Sequence, residues 1–286
     1  MNNLCTVSDS NYLEKGLCLY SSLQERSSCF ILHYLCLNEA CYEKIKPLEN
    51  ASLKVYSVSG FLQSDDRLLS LFRQDYKQFA FCMASYFSNH LLSQTDSITY
   101  IDSDIFFHDD IDRIFKEIGD RDVGIFRHRQ IPLSSWDPNG LFNVGVVFFR
   151  NTDLGRHISS WWVEAVLSKT PPEYSTCGDQ KYLDLFPSLC PSSKLYIDEN
   201  IGHGAPWLWQ LYQFTGGHRI RWNGEEQNLV FTHFSQFLDK GDSYIPSTMH
   251  HINSPLSLYK DNKYLKEIYD EYHRELQKVK AKYNEF

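Results

Sequence analysis

The chain has little basic charge to spare, no Cys-x-x-Cys pair, no long apolar run and no repeat, and each absence removes a class of protein. Its 28 Lys and Arg are outnumbered by 36 Asp and Glu, for a net charge of −8. A general nucleic-acid binder carries a basic excess, so nucleic acid is not an expected partner. The eight cysteines are Cys5, Cys18, Cys29, Cys36, Cys41, Cys82, Cys177 and Cys190. Their spacing does not suit a zinc site, and several lie in apolar runs, as buried thiols do. No signal peptide opens the sequence, so the expected setting is a reducing cytosol without disulfides. No stretch reaches the roughly 18 uninterrupted apolar residues of a membrane span. No internal repeat and no low-complexity linker is visible. What is present is 286 residues, 42% hydrophobic and 15% aromatic, enough for one large domain or two small ones with a substantial core.

Apolar runs and helical spacings alternate along the first half. Leu4–Val7, Phe30–Leu37 and Ser52–Val58 read as strands. Leu13–Leu23 and Asn38–Ile45 read as the helices between them. That β-α-β-α-β order predicts a parallel, right-handed nucleotide-binding half. Residues 64–93 are helical in pattern and lead into Ile98–Phe107. Further strands are expected at Asp122–Arg127, Phe142–Phe149, Leu195–Ile197 and Leu229–Phe234, with helices at Asp110–Ile118 and Leu154–Leu167. Cys177–Phe186 is expected to turn helical after Gly178-Asp179-Gln180. Leu133–Asn139 and Gly202–Trp207 read as loops.

The stretch with the strongest chemistry is Ile98-Thr99-Tyr100-Ile101-Asp102-Ser103-Asp104. A buried strand runs into two carboxylates at its carboxyl end, where open α/β sheets place their ligand sites. In extended chain, residues two apart point to one side. Two carboxylates there repel each other unless a cation lies between them. Oxygen ligands suit Mg²⁺ or Mn²⁺, which commonly also hold substrate phosphates. The plain alternative is a strand ending in a solvated Asp turn. His233 ends a late apolar strand and is the nitrogen ligand that an Asp pair lacks.

Taken in order, five motifs resemble the glycosyltransferases of GT-A fold, most closely glycosyltransferase family 8, the retaining galactosyl- and glucosyltransferases. The resemblance covers roughly residues 4–240 in scattered motifs, and it extends to bacterial transferases of surface polysaccharide assembly. Asp9-Ser10-Asn11-Tyr12 matches the loop that holds the nucleotide base; as a plain helix entry, Asp9 would be an N-cap. Asp102-Ser103-Asp104 matches the Asp-x-Asp motif. Asn143-Val144-Gly145 matches a strand start beside the donor sugar, and a β-bulge asparagine is its other reading. Asp179-Gln180 matches an acidic-Gln pair near the anomeric carbon; on sequence alone Asp179 is a helix cap. His233 matches a metal-binding His, and Lys240 or Gly241 a loop that closes over the diphosphate. An Arg that the family carries on the helix before the Asp-x-Asp strand has no counterpart in Phe79–Phe87, and the Lys-Pro-Trp after the His loop is missing.

The resemblance implies an α/β fold, the Rossmann-like GT-A fold, with a mixed, mostly parallel central sheet. It implies a GT-A domain over 1–250, with a nucleotide-binding half at 1–110 and an acceptor half at 111–250, and a C-terminal helical extension at 251–286. The implied function is transfer of a hexose from a UDP-sugar to a hydroxyl of a glycan or glycolipid, with retention. Asp102, Asp104 and His233 would hold Mn²⁺ or Mg²⁺. Asp179, Gln180 and Asn143 would serve catalysis, and Asp9, Asn11, Tyr12, Asp102, Ser103 and Lys240 would bind the donor. Trp136, Trp207 and Trp209 are candidates for a sugar-stacking acceptor platform. Two rival readings are a sugar-nucleotide-binding protein without transfer and a sugar nucleotidyltransferase. The second should open on a glycine-rich, basic phosphate loop, which residues 4–16 lack. The last helix, Tyr259–Phe286, mixes seven Lys/Arg with six Asp/Glu, so no basic face dominates. It reads as a solvated helix packing by its tyrosines on the domain or on a second subunit, a homodimer. Peripheral contact with the inner face of the membrane is the weaker alternative.

Overall fold

The computed structural model describes residues 1–129, 139–248 and 256–283. In chain order its elements are β1 (Asn2–Ser8), α1 (Leu13–Arg26), β2 (Phe30–Cys36), α2 (Glu39–Ile45), β3 (Leu53–Ser57), α3 (Ser59–Ser64), α4 (Asp66–Gln74), α5 (Tyr76–Leu92), β4 (Ser97–Ile101) and β5 (Ile105–Phe107). There follow α6 (Asp112–Ile118), β6 (Val123–Arg127), β7 (Phe142–Arg150), α7 (Asp153–Ser168), α8 (Phe186–Leu189), β8 (Leu195–Ile197) and β9 (Gly202–Gly204). The last are β10 (Gln213–Gly216), β11 (Arg219–Trp222), β12 (Glu225–His233), β13 (Leu238–Asp239), β14 (Tyr244–Ile245), α9 (Leu256–Asp261) and α10 (Lys263–Tyr283). They divide into two compact units that interleave in sequence. One is Met1–Asn11, Cys29–Asp102 and Ile118–Glu199; the other is Tyr12–Ser28, Ser103–Glu117 and Asn200–Phe286.

The first unit is built on a seven-stranded sheet of order β3-β2-β1-β4-β7-β6-β8. β1 pairs in parallel with β2 and β4, as β2 does with β3 and β6 with β8, while β7 runs antiparallel to β4 and β6. This is the mixed, mostly parallel sheet that the family resemblance implies. Its strands are near-continuous apolar runs because helices cover the sheet. Phe79, Cys82, Met83 and Phe87 of α5 meet Ile158, Trp162 and Val166 of α7 in one buried cluster with Ile98, Val147 and Phe149. Each such side chain, fully buried, contributes about 1.5–3 kcal/mol.

In the second unit a sheet of order β10-β11-β12-β5 has β9 added in parallel to β12. α1 packs on β5 and α10. The stripe Leu265, Ile268, Tyr269, Tyr272, Leu276 and Val279 of α10 is buried. Tyr272 stacks on Phe234, ring centroids 3.8 Å apart, and Tyr269 accepts a hydrogen bond from Trp209 Nε1 at 3.0 Å. The tyrosines expected to anchor this helix therefore pack within its own chain.

The elements depart from expectation where the glycines and polar residues lie. Gly202–Gly204 is a strand, not a loop. A Cβ on Gly202 would strike the Asn228 carbonyl and one on Gly204 the Trp209 ring, so glycine is needed for the close approach. Cys177–Phe186 forms short 3₁₀ turns rather than one helix. β10 and β11 were not expected: each is only four residues long, and Ile220 is their one buried side chain. The loop expected at Leu133–Asn139 lies outside the described residues except for Asn139, and Trp136 with it. Among the described residues, no helix is long and apolar enough to cross a membrane.

Candidate active site

β4 and β5 belong to different sheets, and the chain passes from one to the other through Asp102-Ser103-Asp104. These residues form a turn, so the alternation of an extended strand is not what orients the two carboxylates. The change of pairing partner sets them instead. β4 pairs with β7, and Asp102 N continues that ladder by donating to Gly145 O at 2.9 Å. β5 pairs antiparallel with β12, in a register that sets His233 opposite Ile105. Phe234 N then donates to Asp104 O at 2.8 Å.

In the second unit this register brings His233 Nε2 to 3.0 Å from Asp104 Oδ1, and Lys15 Nζ lies 4.0 Å from Asp104 Oδ2. Burial alone would raise the Asp104 carboxyl, but the His233 and Lys15 charges outweigh it and hold it at about 2. Asp104 is thus a buried carboxylate kept ionised by an imidazole. A metal ligand must be deprotonated, so an ion bound here would replace any proton shared by the two side chains. The pair fits a divalent ion that accepts both nitrogen and oxygen. Ser103, between the two acids, is buried. Trp207 meets the His233 ring edge-on at 5.5 Å, and Trp209 is enclosed in the core, so Trp209 is not part of an exposed stacking platform.

In the first unit Asp102 Oδ1 accepts from Tyr100 OH at 2.8 Å. Asp179 is buried, and burial first, then the negative charge of Asp102, push its carboxyl well above the usual range. Its backbone carbonyl accepts from Trp162 Nε1 at 3.1 Å, which ties the turn to α7. The neighbouring Gln180 is the hub of the site. Gln180 Oε1 accepts from Asn143 Nδ2 at 2.9 Å and from Val144 N at 3.3 Å, and Gln180 Nε2 donates to Asn139 O at 2.8 Å. Gln180 stands at the N-cap of the 3₁₀ helix Lys181–Leu185 but makes no side-chain cap bond. Asn143 lies where the β6–β7 register shifts, since Ile125 pairs with Val147 but Phe126 with Asn143. It is a bulge asparagine and also a partner of Gln180.

Asp9, Ser10 and Asn11 follow β1, next to β4 in the sheet. Asp9 Oδ1 accepts from Asn11 N at 2.8 Å, and Asp9 Oδ2 from Tyr76 OH at 3.4 Å. Asp9 therefore closes its own turn and does not cap α1. Tyr12 begins the second unit, 41% exposed, with Lys15 Nζ 4.3 Å above its ring. Lys240 is exposed on the β13–β14 hairpin, whose base is fixed where His273 Nε2 meets Asp239 at 3.1 Å.

Two residues escaped the sequence reading. Lys15 sits in the first turn of α1, an unremarked basic residue until the fold sets it beside Asp104. His128 Nδ1 donates to Gly140 O at 3.0 Å, which leaves Nε2 to accept from Asn143 Nδ2 at 3.3 Å. It follows β6 without any motif, so no local signal marks it.

No protein-family model matches the chain. It is 28% identical over 254 residues to Uncharacterized protein YfnF of Bacillus subtilis (strain 168), covering 82% of this chain and 80% of that one. It is 25% identical over 244 residues to Uncharacterized protein YfnD of the same strain, covering 81% and 76%. Among solved structures it is similar to galactosyltransferase LgtC in complex with donor and acceptor sugar analogs, with a TM-score of 0.55, 13% identity, and 81% and 86% of the chains covered. It is similar also to mouse xyloside xylosyltransferase 1 in its apo form, with a TM-score of 0.54, 16% identity, and 81% and 97% covered. The chain has the GT-A glycosyltransferase fold.

Proposed function

We propose that this protein is a metal-dependent glycosyltransferase that moves a hexose from a UDP-sugar to a hydroxyl of a glycan or glycolipid acceptor, with retention of configuration. The observation that carries the reading is the 3.0 Å pairing of His233 with the buried, ionised Asp104, two residues after Asp102 in a GT-A fold. Asp102, Asp104 and His233 are the proposed ligands of a Mn²⁺ or Mg²⁺ ion, a donor set of two carboxylates and one imidazole that such ions accept. When bound, the ion supplies Lewis-acid stabilisation of the departing diphosphate.

The remaining roles fall to the chain itself. Asp9, Asn11 and Tyr12 bind the nucleotide, the exposed Tyr12 ring offering a stacking face. Lys15 takes the part of the missing Arg, its ammonium contacting donor phosphate beside Asp104. Asp179, with Gln180, positions the sugar and stabilises positive charge on it. Gln180 and Asn143 hold each other and orient the donor. Lys240 neutralises phosphate as its hairpin closes and excludes water. An oxocarbenium-like sugar, as in glycoside chemistry, is what these groups would stabilise.

The direct test is a titration of UDP with and without Mn²⁺, repeated with Asp104→Asn. The expected result is binding at least about tenfold tighter with Mn²⁺ in the wild-type protein and no such gain in the variant. Equal, metal-independent binding by both would end the metal reading. A screen of UDP-sugars for released UDP then identifies the donor. Failure of every donor to release UDP, with Mn²⁺-dependent UDP binding intact, would leave a sugar-nucleotide-binding protein.

A further inference from the structure

A second cluster of metal-ligating side chains lies entirely within the second unit, apart from the residues assigned above. His108 follows β5, His218 precedes β11, and Glu271 lies on α10. Their ligand atoms all lie within 4.8 Å of one another. His218 Nε2 is 2.6 Å and His108 Nδ1 3.3 Å from the same oxygen, Glu271 Oε2. The two imidazole rings stack with centroids 4.3 Å apart.

The geometry is poorly explained by hydrogen bonds alone. His218 can share a proton with Glu271 at 2.6 Å. His108 Nδ1 is buried and, at 3.3 Å, is not well aligned for a hydrogen bond to the same oxygen. His108 Nε2 pairs with Thr232 Oγ1 at 2.9 Å. With the proton on Nε2 and donated to Thr232, Nδ1 presents a bare lone pair to a carboxylate oxygen. In that tautomer two lone pairs face each other across 3.3 Å, an arrangement that a cation shared by both imidazoles and the carboxylate would satisfy.

We propose that His108 Nδ1, His218 Nε2 and Glu271 hold a zinc ion. Two imidazoles and one carboxylate suit Zn²⁺, and a fourth position is left for water on the half-exposed side of His218. Thr232 fixes the tautomer and aims His108, as the hydrogen-bond partner of a metal-bound histidine ordinarily does. Arg26 Nη2 lies 3.5 Å from the other Glu271 oxygen, which it orients from outside. The ion would join three stretches far apart in sequence: the end of β5, the β10–β11 hairpin and α10. It is a structural clamp on the second unit, distinct from the catalytic ion proposed for Asp104 and His233.

The test uses the full-length chain, stripped with chelator and reloaded with Zn²⁺, with bound zinc counted by mass spectrometry and affinity measured against a chromophoric chelator. The Asp104→Asn/His233→Ala double variant serves as background, so that failure of the catalytic site cannot mask the outcome. In that background about one zinc per chain is expected, with a rise in Tm. His218→Ala should weaken zinc binding at least tenfold and abolish the rise; His218 is half-exposed, so this change spares the fold. Thr232→Val should weaken binding about tenfold. Glu271→Gln serves should His218→Ala prove unstable. No zinc bound by the double variant, or zinc unaffected by both His218→Ala and Glu271→Gln, would overturn the proposal.

Discussion

Gln180 shows how much a single amide can carry. Its side chain accepts from Asn143 and the Val144 backbone and donates to the Asn139 carbonyl. Gln180→Ala should leave Asn143 and Asn139 without these partners and cost about 2–3 kcal/mol, read as a lower urea midpoint. A midpoint unchanged from wild type would mean that solvent replaces all three bonds. The residue was visible in the sequence only as half of a pair after Gly178. Its bonds to residues about 40 positions away were not. The same holds for Asp104, whose acidity was legible as half of Asp-x-Asp but whose neighbours Lys15 and His233 were brought in by α1 and β12. A motif names a chemical type; the partner that tunes it is set by packing.

At the scale of elements, the turn that carries Asp179 depends on a glycine. Gly178 adopts φ +60° with ψ −120°, and a Cβ there would meet Phe81 Cδ2 at 2.5 Å. Gly178→Ala should cost at least about 1–3 kcal/mol from backbone strain, with the clash in addition. Phe81→Ala in the same chain should restore only part of the loss, measured by chemical unfolding, because it removes the clash but not the strain. Full rescue would assign the whole cost to the ring. In the sheet, His33 of β2 pairs through Nδ1 with Tyr56 OH at 2.9 Å and is held at about 4 by burial, with the Lys54 charge adding to it. The unfolded imidazole takes up its proton near 6.5, so between these two values the unfolded chain binds more protons. Stability should therefore fall as pH drops from about 6.5 towards about 4 and level off below, by on the order of 3 kcal/mol relative to His33→Gln. Parallel pH curves for the two proteins would contradict this. Strands β1 to β4 were readable because both their faces are covered, which makes each an apolar run. The strand Gly202–Gly204 was not, because glycine chosen for close approach looks in sequence like glycine chosen for a turn.

Over the whole molecule, α10 supplies the apolar face that the second unit cannot do without. Removing residues 263–283 would uncover Phe234, Phe237 and Trp209, which its tyrosines now cover. Such a chain should lose its near-UV circular dichroism and aggregate; a soluble monomer with native signal would show that α10 is dispensable. The amino-acid sequence by itself determined the alternation of strands and helices, the tyrosine stripe of α10 and the carboxylates of Asp102 and Asp104. All of these rest on local period or on residues close together in the chain. The tertiary structure alone decided that His233 meets Asp104, that Lys15 stands beside it, that Gln180 joins Asn143 to the turn before it, and that two histidines converge on Glu271. Those meetings follow from strand register and helix packing between distant segments, and register between distant segments leaves no mark on either segment alone.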